Sequence, residues 1–426
     1  MGAAAVLEHL QRQAGTCRTL GAPFTAALCE AAAEDLRRAG PVADVLAGDG
    51  REPGPSALGL RLVGALQRLV LAGDAPALGR CYPTDARPGG DPAAAVALLP
   101  AVVAEHVEVL RRELGAAPQT NEVGRTAALW GGVLRLVAEG VGRGLPGTGP
   151  AGQGGAVPVR LVDVGASAGL LLQADRVRMV GDDGSACGPP GSPVRLAAAW
   201  DVAPWSGPGD GGPVREPPPT RVVAREGVDV APLDVAREQD SRRLRSFVWP
   251  EQRDRVHRLE GAIALARAHP VPLRRAGAGE LARGLGLRPG VVTVVWHAVV
   301  RQYVPAGELS ALDAALVRLG READAAGGGA PLVHLALEPA RPVDGGPSRF
   351  VLSATVSGAP GVPHGPRELG EAGPHGPPVR WSGPPGPGPG APAPAEPSPA
   401  PTGPSPAPTG PSPTRPVPTG RTGGPA

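Results

Sequence analysis

Residues 161–170, LVDVGASAGL, carry the strongest structural signal in this 426-residue chain. The stretch begins as a short apolar run, passes through a Gly-rich turn and continues into apolar residues, a pattern typical of a β-strand followed by a helix. Asp163, Gly165, Ser167 and Gly169 occupy alternate positions across the turn. Small side chains let the backbone approach a ligand, and the following helix offers free N–H groups. The sequence predicts a ligand-binding turn at the start of an α/β domain; a tight turn that binds nothing is the alternative.

Outward from this turn, strand and helix patterns alternate as far as residue 382. The alternation favours a mostly parallel, three-layer sheet of the Rossmann type. A Gly- and Pro-rich stretch, 179–219, is predicted to be an insertion with a short hairpin. The predicted strands are 159–164, 221–230, 291–296, 332–337 and 350–356, and the predicted helices are 236–268, interrupted at Pro250, and 308–319.

The segments that flank this α/β region, 159–382, have different compositions. Residues 1–141 show helical apolar spacing and no strand-like alternation, so we expect an all-helical N-terminal domain with helices at 24–38, 57–71, 93–114 and 122–141. A Gly-rich linker, 142–158, follows. The last segment, 383–426, has 17 Pro and 9 Gly among 44 residues. It has too few large apolar side chains to offset chain entropy, and it is predicted to be a disordered tail.

Charge and cysteine content limit the partners. The 42 basic and 40 acidic residues leave a net charge of +2, and aromatic residues make up 3% of the chain, so neither a nucleic-acid nor a membrane partner is expected. The four cysteines lack metal-ligand spacing, which predicts reduced structural thiols and no metal. The N-terminal residues show no signal-peptide pattern, and the longest apolar run, 291–300, is too short to span a bilayer. We expect a cytoplasmic protein that acts on a small molecule, and no oligomeric state is predicted.

A nucleoside-binding sheet needs a carboxylate at the end of its second strand, where it binds ribose hydroxyls. Asp229, in REGVDVAPLD, lies where that strand should end. It follows Gly169 by 60 residues, against roughly 20 in the dinucleotide fingerprint, and the 179–219 insertion explains the excess. The alternative is that Asp229 caps a helix or faces solvent.

Further candidates end later strands of the predicted sheet. His297 ends the fourth strand and Tyr303 follows within two turns, so His297 is a candidate general base and Tyr303 is a candidate for orienting the substrate. Glu338, at the end of the next strand, is a candidate anchor for a substrate amine or hydroxyl. The alternatives are a buried, hydrogen-bonded structural histidine and a solvated carboxylate.

Two segments outside the sheet supply candidate substrate contacts. Asn121, the only Asn in the chain, and Glu122 begin the last helix of the helical domain, and Arg125 follows. These residues are predicted either to cap the helix or to reach the crevice and contact substrate. Trp249, in FVWPEQ, precedes Pro250 and is predicted either to cover the mouth of the pocket or to pack against the kink.

The D-x-G-x-S-x-G pattern of residues 163–169 resembles the first motif of class I S-adenosylmethionine-dependent methyltransferases, in which a Gly often stands in place of Ser167. The resemblance implies methyl transfer to a small molecule, for which alignment and proton removal suffice. It also implies a site for the methionine and ribose of S-adenosylmethionine that is lined by Asp163, Gly165, Ser167, Gly169 and Asp229.

A wider set of segments is similar to an uncharacterised bacterial family, domain-of-unknown-function family 2332, over about residues 20–382. The family usually has Gly-Asp after its third strand, a carboxylate that holds an adenine amino group in methyltransferases, whereas here Gly277 is followed by Ala278. Its Asn after the Gly-rich motif is Leu171 here, and its aromatic hairpin strand reads RVRM (176–179). The matching segments are QTNEVGR (119–125), LVDVGASAGL (161–170), SPVRL (192–196), GVDVAPLDV (227–235), FVWPEQ (247–252), VVWHAVVRQYVP (294–305) and HGPPVRW (375–381).

Two other functions are compatible with the sequence. Residues 165–169 also fit the G-x-S-x-G nucleophile elbow of α/β-hydrolases, with Ser167, Glu338 and His375 as the triad. That fold places several strands before the elbow, whereas the residues that precede it here are predicted to be helical. The other alternative is a non-catalytic nucleotide-binding or scaffold protein, which Ala278 and the tail favour.

Overall fold

Helices and strands follow the predicted order along the chain in a computed structural model that describes residues 3–47, 49–54, 56–115, 117–148, 155–206, 216–340 and 349–383. The described part opens with helices and continues with strands and helices that alternate. The predicted tail lies outside the described residues apart from Gly383, as do residues 149–154 of the predicted linker.

Proline begins several of the helices, because its fixed φ suits the first helical turn and its missing N–H has no partner there. Short 3-10 turns cover Val123–Arg125, Leu170–Arg176 and Arg301–Tyr303. The α-helices in the described ranges are α1 (Ala3–Thr19), α2 (Pro23–Arg37), α3 (Pro41–Leu46), α4 (Leu58–Ala72), α5 (Pro76–Gly79), α6 (Pro92–Glu105), α7 (Val107–Leu114), α8 (Thr126–Ala138), α9 (Glu238–Ser246), α10 (Arg253–Ala268), α11 (Ala278–Gly284) and α12 (Ala306–Ala325).

Helices α1–α7 pack around their own apolar cluster, whose centre contains Leu10, Phe24, Leu62, Leu99 and Leu110. The predicted helix 93–114 is instead two helices, α6 and α7, which meet at an angle of 92°. No single helix among the described residues is long and apolar enough to cross a membrane, and α6 and α7 pass that test only as a bent pair. The division of the chain into a helical and an α/β domain stays a prediction.

The strands form one large and one small sheet. The large sheet has the order β11-β10-β9-β8-β7-β1-β5-β6, and the small sheet has the order β3-β2-β4. The strands are β1 (Val157–Val164), β2 (Arg178–Val180), β3 (Ala186–Cys187), β4 (Arg195–Leu196), β5 (Thr220–Asp229), β6 (Leu273–Arg275), β7 (Val292–Ala298), β8 (Leu332–Ala340), β9 (Arg349–Ser357), β10 (Arg367–Gly373) and β11 (Gly376–Trp381).

The large sheet is mixed and largely parallel rather than parallel throughout. Five strands run parallel to one another: β6, β5, β1, β7 and β8. The sheet then continues from β8 as an antiparallel meander of β9, β10 and β11. The sequence predicted five of these strands and missed β6, β10 and β11. Strand β6 has three residues, and β10 and β11 contain Gly, Pro and charged residues that weaken a strand pattern.

The predicted insertion contains the small sheet. Strands β2 and β3 form the expected hairpin, and β4 adds to it in parallel. The fully buried Trp200 donates its indole N–H to Ser185 Oγ at 2.7 Å and forms a bridge to Val379 of β11. The insertion is therefore packed against the end of the meander, and residues 207–215 of it lie outside the described ranges.

The two faces of the large sheet carry different side chains, because successive residues of a strand point to opposite sides. Val162, Val164 and Val228 belong to the apolar cluster that α11 and α12 complete, and Leu161 and Trp296 belong to the cluster that α8 and α10 complete. By the same alternation, Asp163 and Asp229 lie on the α8 face, and His297 and Glu338 lie on the α12 face.

Gly124 marks a close approach between the turn before α8 and the turn between β10 and β11. A Cβ at Gly124 would overlap His375 O and lie 2.9 Å from Pro377 Cδ. We expect Gly124→Ala to lower the free energy of unfolding by about 1–3 kcal/mol, as overpacking does, in urea denaturation of the full chain.

Gly307→Ala is the control for this experiment, because a Cβ at exposed Gly307, in the first turn of α12, would meet no atom within 4 Å. Alanine there should be neutral or stabilise by up to about 1 kcal/mol. Equal stabilities of the two variants would contradict the close approach at Gly124.

Candidate functional site

The Gly-rich turn follows β1 at the carboxyl edge of the sheet, where β5 lies on one side of β1 and β7 on the other. Ligands of open α/β sheets bind at such a reversal of strand order. Gly165 and Ala166 both donate their N–H groups to Val228 O, at 2.8 and 3.0 Å. The segment after the turn, Leu170–Arg176, is a 3-10 helix and not the expected α-helix, so the free N–H groups of an α-helix terminus are absent at this point.

The two glycines of the turn provide room for the chain's own side chains. Gly165 and Gly169 have φ values of +76° and +70°, a region that glycine adopts without strain. A Cβ at Gly165 would overlap Val300, and one at Gly169 would lie 2.9 Å from both Leu273 and Val271 side-chain carbons. The close approach that the sequence assigned to a ligand is made here by packing.

Asp229 ends β5 beside the turn, as the sequence predicts, and its carboxylate binds that turn directly. One oxygen accepts the Ser167 N–H at 2.9 Å, and the other accepts the Ala231 N–H at 2.8 Å. Gln119, which the sequence analysis did not single out, adds a longer contact of 3.4 Å from its amide. The Asp229 carboxylate therefore joins the turn after β1 to the residues that follow β5.

Asp163 lies near Asp229 on the same face of the sheet and is 4% exposed. Burial raises the pKa of the Asp163 carboxyl well above its ordinary range, and the negative charge of Asp229 raises it further. The surroundings of Asp163 therefore favour its neutral form.

Ser167 and Asn121 both have a strained backbone conformation at this edge, and the Ser167 hydroxyl is a buried polar group. Ser167 Oγ is buried and has no hydrogen-bond partner among the described residues. Asn121 Oδ1 accepts the Leu170 N–H at 3.0 Å. Asn121, Ser167 and Val299 are three of the six described residues other than glycine with positive φ, and such strain is concentrated at functional sites in proteins.

Glu122 belongs to a buried ionic cluster that joins three distant segments. Its Oε2 accepts two hydrogen bonds from the Arg255 guanidinium, at 2.9 and 2.6 Å, and lies 3.4 Å from His375 Nδ1. Burial would raise the pKa of Glu122, but the hydrogen bond from His375 and the charge of Arg255 outweigh it and lower the pKa to about 2. Glu122 also accepts the Gly124 N–H at 3.4 Å, so the predicted capping role is present as well.

Sequence reasoning missed Arg255, whose only signal was a charged side chain on the buried face of α10. Arg125, a predicted substrate contact, donates to Pro374 O at 3.2 and 3.0 Å and to Ala298 O at 3.4 Å. It thereby fastens the turn between β10 and β11 to the end of β7. Burial lowers the pKa of Arg125.

Trp249 is buried in the apolar cluster of α1–α7 and is 7% exposed. Its ring meets the His375 ring edge to face at 6.2 Å, and the Arg255 guanidinium lies 5.9 Å from its centroid. Trp249 therefore packs beside the Glu122 cluster, away from the Gly-rich turn.

His297 lies in an internal hydrogen-bond network on the opposite face of the sheet. Its Nδ1 contacts Glu338 Oε1 at 2.7 Å, its Nε2 contacts His334 Nε2 at 3.0 Å, and the residue is 1% exposed. Burial lowers the pKa of His334 to about 3. Both nitrogens of His297 are engaged, which matches the alternative of a buried structural histidine. Tyr303 is 58% exposed and has no hydrogen bond to His297 in the described residues.

The hydrolase triad is not assembled. Glu338 pairs with His297, His375 pairs with Glu122, and neither contacts the Ser167 hydroxyl. Every strand of the large sheet follows β1 in the chain, so this turn also lacks the earlier strands of a nucleophile elbow.

The described residues offer little for metal or thiol chemistry. The described residues contain no group of three or more His, Cys, Asp or Glu side chains placed to hold a metal ion. Cys17, Cys29, Cys81 and Cys187 are free and buried, as expected for structural thiols.

The architecture defines an α/β protein with a mixed, largely parallel sheet and a Gly-rich turn at its strand-order reversal. The chain belongs to the family described as "Uncharacterized protein conserved in bacteria (DUF2332)", whose model matches residues 7–381. No curated protein and no solved structure matches the chain.

The buried Asp163 carboxyl makes stability depend on pH. Because its folded-state pKa lies above the ordinary value of 3.8, Asp163 destabilises the fold increasingly as the pH rises from there towards the raised pKa. We expect Asp163→Asn to raise the free energy of unfolding at pH 7, with a difference that disappears near pH 4. The exposed Asp234→Asn is the control, and an equal effect of both variants would argue against a raised Asp163 pKa.

Glu122 should show the opposite dependence, because its pKa is lowered from 4.5 to about 2. Its contribution is complete above about pH 4.5 and is lost as the pH falls towards 2. Glu122→Gln should cost about 3–5 kcal/mol at pH 7, since it leaves Arg255 buried without its partner.

Urea denaturation at pH values from 2.5 to 7 measures this difference, with Glu108→Gln, whose side chain is 81% exposed, as the control. A difference between wild type and Glu122→Gln that stays constant over this range would contradict the lowered pKa.

Proposed function

We propose that the chain is an S-adenosylmethionine-dependent methyltransferase that acts on a small molecule. The observation that carries the proposal is the position of Asp229, which ends the strand beside the Gly-rich turn at the reversal of strand order. In doubly wound sheets this is where a carboxylate meets the ribose of a bound nucleoside.

The order of the parallel strands supports a nucleoside site at this edge. Counted along the chain, the parallel strands β1, β5, β6, β7 and β8 are arranged as 3-2-1-4-5 across the sheet, which is the order of a doubly wound nucleotide-binding sheet. The antiparallel strands β9–β11 extend the sheet beyond β8, on the side away from β5.

Polar atoms at the turn fit the chemistry of a ribose and a sulfonium group. Ser167 Oγ and Gln119 Oε1 are buried without a partner among the described residues, and both match ribose hydroxyls as hydrogen-bond partners. The ionised Asp229 carboxylate supplies the negative charge that favours a nearby sulfonium. When bound, S-adenosylmethionine supplies the activated methyl group; Ser167 and Asp229 would hold it beside Asp163, and Gly165 and Gly169 would give the turn its shape.

Two observations favour a second candidate, a non-catalytic nucleoside-binding protein. His297, the predicted base, has both ring nitrogens engaged by Glu338 and His334. Ala278 follows Gly277 after β6, where the family usually carries a carboxylate. Such a protein would bind the same ligand at the same turn without a reaction.

Calorimetric titration of the full chain with S-adenosylmethionine and S-adenosylhomocysteine tests the cofactor assignment. We expect both to bind, and Ser167→Ala to weaken binding roughly tenfold, the equivalent of one hydrogen bond of about 1.4 kcal/mol. Ser310→Ala, at an exposed position of α12, is the control and should leave binding unchanged. No heat of binding at millimolar ligand would reject the assignment, and binding without methyl transfer to any of a panel of small acceptors would favour the second candidate.

A further inference from the structure

A small cavity lies beside the Glu122 cluster. Its volume is about 70 Å³, enough for a group of a few non-hydrogen atoms, since one water occupies about 30 Å³ in the liquid. Five of its nine lining residues are apolar and four are polar or charged. The lining includes Leu60 and Val63 of α4, together with Thr120, Trp249, Arg255 and His375.

His375 reaches this cavity with one nitrogen engaged and the other free. Nδ1 lies 3.4 Å from Glu122 Oε2, whereas Nε2 is buried and has no hydrogen-bond partner in the part of the chain that the structure describes. The His375 side chain as a whole is 30% exposed, so the ring lies near solvent. A carboxylate on Nδ1 with a free Nε2 is the arrangement by which enzymes make an imidazole a proton acceptor.

Burial and the charges around His375 together lower its pKa. Burial lowers the pKa of His375, the Glu122 carboxylate opposes this effect, and the guanidinium groups of Arg255 and Arg125 lower the pKa again. Arg255 and Arg125 are the cations that face the pair, and Glu122 is the anion. Because Nδ1 faces the Glu122 carboxylate at 3.4 Å, we expect the tautomer with its proton on Nδ1, which leaves the Nε2 lone pair free.

One short segment connects the cavity to the Gly-rich turn. Two of its residues reach the turn side: Gln119 contacts Asp229, and Asn121 contacts Leu170. The other two reach the cavity side: Thr120 lines the cavity, and Glu122 contacts His375. Thr120 therefore lies between two residues that contact the turn or the strand end beside it, and the Cα atoms of the four residues span at most about 11 Å.

We propose that His375, oriented by Glu122, is the catalytic proton acceptor, and that the cavity takes the hydroxyl or amine terminus of the small-molecule substrate. The inference rests on the proposed function and names the site of its acceptor. In the reaction, the substrate oxygen or nitrogen forms a bond to the methyl carbon as the S–CH3 bond breaks, and the sulfonium becomes a neutral thioether. The substrate proton moves to His375 Nε2, so the positive charge ends on an imidazolium beside the Glu122 carboxylate.

The tautomer of His375 provides the test. In the full chain labelled with ¹⁵N-histidine, NMR at pH 7 should show His375 with a protonated Nδ1 and an unprotonated Nε2, and His375→Gln assigns the signal. The pH midpoint should lie below the ordinary value of 6.5. A protonated Nε2 at pH 7 would overturn the inference, because that nitrogen would then donate a hydrogen bond and not accept a proton.

Glu122 is a positioning residue, and its variant separates orientation from packing. In Glu122→Gln, measured at a temperature where far-UV circular dichroism shows the fold intact, the His375 midpoint should move to lower pH and the second tautomer should appear. An unchanged midpoint and tautomer would show that Glu122 does not orient the ring. Glu108→Gln should leave the His375 signal unchanged.

Calorimetry distinguishes this inference from the proposed function. His375→Gln should bind S-adenosylmethionine as the wild type does, because no contact of His375 involves the Gly-rich turn. If the wild type does not bind the cofactor, the methyltransferase proposal fails, and the assignment of His375 as the base of that reaction fails with it, whatever its tautomer. If the cofactor binds and His375 carries its proton on Nε2, the inference about the base fails by itself.

Discussion

The carboxylate of Asp229 is the interaction on which the carboxyl edge of the sheet depends. By accepting the N–H groups of Ser167 and Ala231, it joins the turn after β1 to the end of β5. The same turn also contacts Asn121, whose Oδ1 accepts the Leu170 N–H. Loss of the carboxylate would leave two backbone donors without partners, which is costly in a buried site. Burial raises the pKa of the neighbouring Asp163, and the charge of Asp229 raises it further, so one residue affects both the geometry and the electrostatics of this edge.

Sequence reasoning predicted the parts of the fold whose signals are local. The strand–turn pattern of residues 161–170, the alternating strands and helices, and the place of Asp229 all follow from short patterns in the chain. The antiparallel meander was not predicted, because β10 and β11 contain Gly, Pro and charged residues that weaken a strand pattern. The 3-10 conformation of Leu170–Arg176, which follows the turn, was not predicted either, because it depends on packing against other parts of the chain.

In the candidate site, too, only the residues that a local pattern brings together could be predicted from the sequence. Asp163, Gly165, Ser167, Gly169 and Asp229 are close together because one motif and one strand end bring them there. Glu122, Arg255 and His375 come from three segments that share no motif, and no local pattern pairs them. His297 shows the limit of reasoning from strand ends, since its position was predicted and its side chain lies on the opposite face of the sheet from Asp229.

The pairing of Glu122 with His375 has a consequence for biosynthesis. The two residues are 253 positions apart in the chain, so the pair cannot form until the ribosome has made almost the whole folded region. At about 5–20 residues per second, this interval lasts roughly 13–50 seconds. Arg255 is made about halfway through it, and the turn after β1 needs the chain as far as Val300, which packs against Gly165. The imidazole of His375 is therefore the last of these groups to be made.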